Sequence, residues 1–168
     1  MAYKVFDKGL VNRYGVKFKE HSTYILDTSE RGLKFGNNGY GFHYVERLED
    51  GLRYFDGLNN EIDIALVYPL GDIVEGYDEF YEYFDMFVTD KLYIDHVLSR
   101  EEILDYTLHI SELSAARLIK GYRLTKDEQD IIKEHFHNDY INKTIDYYQN
   151  NNIHAYDKVK KKVKKWKI

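Results

Sequence analysis

The sequence predicts an α+β fold: a twisted, mostly antiparallel sheet with one packed helix, followed by a C-terminal helical subdomain. Three features carry this expectation. Up to Leu98, short runs of aromatic and β-branched residues alternate with glycine and asparagine turns. From Ser99 the apolar period lengthens to that of a helix, and Ser99 with Glu102 and Thr125 with Glu128 are spaced as capping boxes. Within the first part, Asn37 to Phe55 reads as a glycine turn, a short aromatic strand and an amphipathic helix, around which the rest is arranged. The expected division is residues 1–98 as the α+β domain and 99–168 as the helical subdomain with a basic last helix.

In chain order, Ala2 to Phe6 alternates as a first strand, and Asp7 to Gly15 forms a loop in which Asn12 and Gly15 supply turn chemistry. Val16 to Phe18 and Thr23 to Leu26 are two further short strands, and Asp27 to Asn38 is a turn-rich surface excursion. Gly41 to Val45 is then a strand and Glu46 to Phe55 a helix. Val45, Leu48, Leu52 and Phe55 recur every three or four residues, while Glu46, Glu49, Asp50 and Arg53 occupy the other side. Gly51 inside that helix costs about 1 kcal/mol relative to alanine, which implies a close approach to neighbouring backbone. Ile62 to Tyr68 is apolar enough for a central strand, ended by Pro69. Gly71 to Val74 begins a second piece of sheet, and Met86 to Thr89 and Leu92 to Leu98, joined by Asp90-Lys91, close the sheet.

The expected helices are Arg100 to Tyr106, Ser111 to Lys120 with Leu113, Ala116 and Ile119 on one side and Gly121 as its stop, a helix from Thr125 to about His137, Ile141 to Gln149, and His154 to Trp166.

At 168 residues the chain can bury about two-thirds of its unfolded surface without a metal or disulfide. It has no cysteine, which removes disulfides, thiolate zinc sites and thiol chemistry. No secretion signal or eighteen-residue apolar run occurs, so a cytoplasmic, untethered protein without membrane insertion is expected (the host-cell cytoplasm if viral). Seven lysines in the last eleven residues leave a net charge of −12 on the preceding chain, an acidic body with a basic tail.

The succession Tyr3-Lys4-Val5-Phe6-Asp7-Lys8-Gly9-Leu10, Gly39-Tyr40-Gly41-Phe42-His43, Leu70-Gly71-Asp72-Ile73-Val74, Thr89-Asp90-Lys91-Leu92-Tyr93-Ile94 and Leu98-Ser99-Arg100-Glu101-Glu102-Ile103 resembles an uncharacterised domain of phages and bacteria. That domain stands alone or precedes pentapeptide repeats. The succession is also similar to the segment preceding the repeats in giant-virus ankyrin-repeat proteins. The resemblance spans residues 3 to 103 and implies a viral or mobile-element setting and a small α+β fold, with no activity to transfer. The acidic insertion between Val74 and Val88 departs from it.

Three constellations are candidates for function. Between Asp72 and Asp90 the chain has seven acidic residues, no lysine or arginine, and interleaved rings. Tyr77, Asp78, Glu79, Phe80, Tyr81, Glu82, Tyr83, Phe84 and Asp85 read as a surface for a protein partner with a basic groove, such as a host factor or defence protein, against the plainer alternative of a solvated acidic hairpin. Exposed rings would serve a homo-oligomer equally. Tyr40, His43 and Tyr44 form a candidate ligand groove, in which His43 is either a general base or a buried histidine bonded to backbone. The glycine-led strand and the helix ending in Tyr54 and Phe55 resemble the NAD-binding half of ADP-ribosyltransferases, which makes a degenerate NAD-dependent transferase the enzymatic alternative. Glu101 and Glu102 are better explained there as the first turn of a capped helix. Lys158, Lys161, Lys162 and Lys165 lie on an amphipathic basic segment that could rest on nucleic acid or an anionic membrane, against the plainer alternative that Val159, Val163 and Trp166 dock it on the core with its lysines solvated beside the acidic body. Glu134, His135 and His137 lack the spacing of a helical metal site, and no phosphate loop or nucleophile elbow is present, so no cofactor or metal is expected. The leading expectation is a non-enzymatic protein that binds a macromolecular partner.

Overall fold

The computed structural model describes residues 1–36, 39–77 and 85–150. It is an α+β fold with two antiparallel sheets and helices packed on one side. Strands β1 (Ala2–Asp7), β4 (Ile62–Pro69), β7 (Lys91–Val97) and β2 (Ser22–Ile25) form the larger sheet in that order. Strands β3 (Phe42–Tyr44), β6 (Asp85–Thr89) and β5 (Ile73–Tyr77) form the smaller. Tyr3 and Val45 exchange backbone hydrogen bonds of 2.7 and 2.9 Å, which join β1 to the end of β3 and make the two sheets neighbours.

A single residue, Asp90, turns the chain from β6 in one sheet to β7 in the other. Its carbonyl accepts from Leu26 N–H at 2.8 Å, and its side-chain Oδ1 accepts from Asp72 N–H at 2.9 Å. The second bond takes the amide that a strand beginning at Gly71 would need, so β5 starts at Ile73 instead.

Alternation on β1 divides the interior in two. Ala2 and Phe6 join Leu10, Phe18, Tyr44, Val67, Leu92 and Ile94 in one cluster, with the Phe6 and Phe18 rings 5.3 Å apart. Tyr3 and Val5 face the opposite way, into a cluster with Leu48, Leu52, Ile64, Ile103, Leu118, Ile119, Ile132 and Ile145. That second core crosses residue 98, so the sheet and the helices share one buried interior.

The helices are α1 (Leu48–Gly51), α2 (Arg100–Leu108), α3 (Glu112–Ile119), α4 (Lys126–Phe136) and α5 (Asp139–Gln149). Both capping boxes form: Ser99 Oγ accepts from Glu102 N–H at 3.1 Å, and Thr125 Oγ1 from Glu128 N–H at 3.2 Å. Gln149 closes the bundle by donating to the carbonyls of Ile119 (2.6 Å) and Tyr122 (2.8 Å) and accepting from Leu124 N–H (2.9 Å).

Four expectations need correction. The helix expected over Glu46 to Phe55 is only α1 and a 3-10 turn at Leu52–Tyr54. Val45 is held in the sheet by Tyr3, and Arg47 at the N-cap offers no side-chain acceptor, so the helix cannot begin earlier. The close neighbour of Gly51 is the Val5 side chain, 2.9 Å from where a Cβ would stand, rather than backbone. Val16 to Phe18 is not a strand, because Asn12 Oδ1 accepts from both Tyr14 and Val16 N–H at 2.9 Å and folds the segment into a closed loop. Leu113 is exposed, and α3 buries Ala115, Ala116, Leu118 and Ile119.

Candidate ligand-binding site

The same alternation that points Ala2 and Phe6 inward points Lys4 inward between them. Its ammonium donates a 2.7 Å hydrogen bond to the carbonyl of His43 and lies 5.5 Å from the centre of the Phe6 ring. Lys4 keeps some accessible surface although protein surrounds its amine, because it faces a cavity of about 560 Å³ between β1, β3, the 3-10 turn and the loop from Lys8 to His21.

That loop is built to hold Arg13 over the cavity. Asp63 Oδ2 accepts from Gly9 N–H at 2.6 Å and Leu10 N–H at 3.0 Å, and Phe18 N–H donates to Leu10 at 2.9 Å. The turn around Asn12 then projects Arg13, whose guanidinium lies 5.1 Å from the Phe55 ring centre and 5.8 Å from that of Tyr54. Arg13 has no ion-pair partner among the described residues.

Tyr40, His43 and Tyr44 all line this cavity. Gly41 brings them there: its φ is +139°, and a side chain at that position would run into Val88 and Leu33. Tyr40 hydroxyl donates to the carbonyl of Asp27 at 2.7 Å, and Arg31 lies 4.8 Å from the Tyr40 ring centre, so the excursion after β2 closes one wall. Tyr44 stacks on Phe87 at 5.4 Å, and its hydroxyl is pushed up to about 12 by burial and by the charge of Glu46.

His43 is only 7% exposed. Burial, with Lys4 adding to it, lowers its pKa to about 3, so the imidazole is neutral at physiological pH. Its Nε2 accepts from Gly36 N–H at 3.5 Å. Among the described residues no carboxylate touches it, so none of them supplies the orienting partner that a general base at this position would use.

Burial and then the neighbouring charge of Arg13 bring the Lys4 pKa down to about 8. Burial likewise lowers that of Arg13. Lys4 and Arg13 are the cations on its inner walls, and among the described residues no aspartate or glutamate lines it. Burial outweighs the favourable charge of Asp7 on Arg13, so an anionic ligand beside Lys4 and Arg13 would offset their desolvation.

Comparison with known proteins supplies no relative: no family model, curated protein or solved structure matches this chain.

A second cavity of about 410 Å³ contrasts with the first. Its arginines are engaged: Arg100 pairs with Glu128 at 2.6 Å, and Arg123 Nε donates to Leu58 at 2.8 Å. Among the described residues, no group of three or more histidines, aspartates and glutamates is placed to hold a metal.

Tyr77 and Asp85 are paired across β5 and β6, while Asp78 to Phe84 lie outside the described residues. Lys158, Lys161, Lys162 and Lys165 also lie outside them. Sequence reasoning missed Lys4 and Arg13. A signal for Lys4 was present, since a lysine between Ala2 and Phe6 on one face of an alternating strand is a charge directed at the core.

Proposed function

We propose that this protein binds a small organic anion with a flat, apolar body in the cavity between β1, β3 and the loop that carries Arg13. One observation carries the reading: Lys4 and Arg13 share an aromatic-walled space of about 560 Å³ to which, among the described residues, no carboxylate contributes. The volume lies in the range of small-molecule sites, about 300–1,000 Å³. Tyr40, Tyr54 and Phe55 offer ring faces to an apolar body, and Lys4 with Arg13 offers charge-assisted donors to a carboxylate, sulfonate or phosphate.

A binding role is favoured over a transferase because no glutamate is among the described residues of the lining. Glu102, late enough in the chain for that part, caps α2 and bonds to His96 Nε2 at 2.8 Å instead. Partner binding through Tyr77 to Asp85 is a separate proposal, supported by the acidic and aromatic composition of that stretch.

The ligand reading is tested by calorimetric titration with 2-naphthoate and with its uncharged analogue 2-naphthylmethanol. The expected result is one saturable site that prefers the carboxylate. Lys4→Met and Arg13→Met should each weaken it about tenfold to a hundredfold, the worth of one charged hydrogen bond. Equal affinity for both compounds, or undiminished binding by both folded variants, would remove the reading.

A further inference from the structure

The Lys4 amine is held in an unusual way for a lysine. It stands inside an apolar cavity, faces the second cation Arg13, and has a backbone carbonyl rather than a carboxylate as its hydrogen-bond acceptor. A carboxylate would lock the amine as an ammonium, whereas the His43 carbonyl at 2.7 Å fixes its position without supplying a countercharge. The nitrogen lies 5.5 Å from the centre of the Phe6 ring, and Lys4 is one of the residues that line the cavity.

We propose that Lys4 forms a reversible imine with an aldehyde or ketone on the bound anion, so that the ligand is an anionic aromatic carbonyl compound. The proposal rests on the anion-binding reading above. The Nζ lone pair attacks the carbonyl carbon, and the resulting carbinolamine loses its oxygen as water. One carbon–nitrogen double bond replaces the carbon–oxygen double bond, both hydrogens of the neutral amine leave with the water, and nothing is oxidised or reduced. With a carbonyl on the ligand, Arg13 alone holds the anionic end, and Lys4, which would share a plain carboxylate with Arg13, meets the carbonyl carbon instead; Arg13 also disfavours a second positive charge beside the amine. With the amine brought to a pKa of about 8, roughly a tenth is in the nucleophilic form at pH 7, far more than for a solvated lysine.

The test uses two compounds with the same ring and carboxylate, 6-formyl-2-naphthoate and 6-(hydroxymethyl)-2-naphthoate. The protein is incubated with a substoichiometric amount of the aldehyde and cyanoborohydride, and modified lysines are mapped by peptide mass spectrometry. Labelling of Lys4 at least about tenfold above any other lysine, suppressed by excess hydroxymethyl compound and absent at that position in Lys4→Arg, is expected. If the hydroxymethyl compound binds by calorimetry but Lys4 is labelled no faster than the exposed lysines, the imine is overturned and anion binding stands. If neither compound binds, both fall.

Discussion

At His43 the structure holds an imidazole that cannot readily accept a proton. Its unfolded value near 6.5 falls to about 3 in the fold, so between those limits the unfolded chain binds more protons. Stability is unaffected by this group above about 6.5 and falls as the pH drops below it, by about 1.4 kcal/mol per unit. Lys4 has the same sign at the other end of the scale. Its penalty is fully present below about 8 and is relieved as the pH rises from there toward 10.5. In His43→Gln, whose amide still accepts from Gly36, the slope of melting temperature against pH between 6 and 4 should be visibly flatter than in the wild type. Superimposable slopes would show that His43 does not resist protonation. Gly41 and His43 stood out in the sequence because glycine is rare at a strand entrance. Lys4 did not, because one lysine in a short strand looks like an exposed edge until Phe6 is seen to be fully buried on the same face.

At the scale of elements, the helices were legible and the helix before them was not. Ser99 with Glu102 and Thr125 with Glu128 are local signals, completed within one turn, and both caps form where their spacing places them. In α1 the acidic residues looked like a solvent face, yet Glu49 and Asp50 are each 1% exposed. Glu49 accepts from the Tyr106 hydroxyl at 2.7 Å, and Asp50 pairs with Arg117, so these acids tie α1 to α2 and α3. Their partners lie 57 and 67 residues away, beyond the reach of any periodicity within α1. Removing one member strands a buried charge. Asp50→Asn should cost about 3–5 kcal/mol in urea unfolding, and adding Arg117→Met should recover a substantial part. A single variant within about 0.5 kcal/mol of the wild type would contradict this arrangement.

At the scale of the molecule, the cavity exists because two sheets meet at Tyr3 and Val45 without filling the space beside them. Its walls come from β1, the Asn12 turn, the excursion after β2, β3, the 3-10 turn and Met86 of β6. The sequence could place Tyr40, His43 and Tyr44 on one glycine-led strand. It could not place Arg13 over Phe55 or Lys4 beneath His43, since those contacts depend on how the Lys8-to-His21 loop folds back onto the sheet. Among the described residues no helix is long and apolar enough to cross a membrane, and the second core runs from β1 through α5. The central proposal is that this cavity takes an aromatic anion. The most direct measurement is amide NMR of the isotope-labelled protein titrated with 2-naphthoate. Saturable shifts are predicted at Tyr3 to Val5, Arg13, Phe42 to Val45 and Tyr54 to Phe55, while α4 and α5 remain unmoved. Shifts that are absent, or that centre on α4, α5 or the second cavity around Arg123, would contradict it.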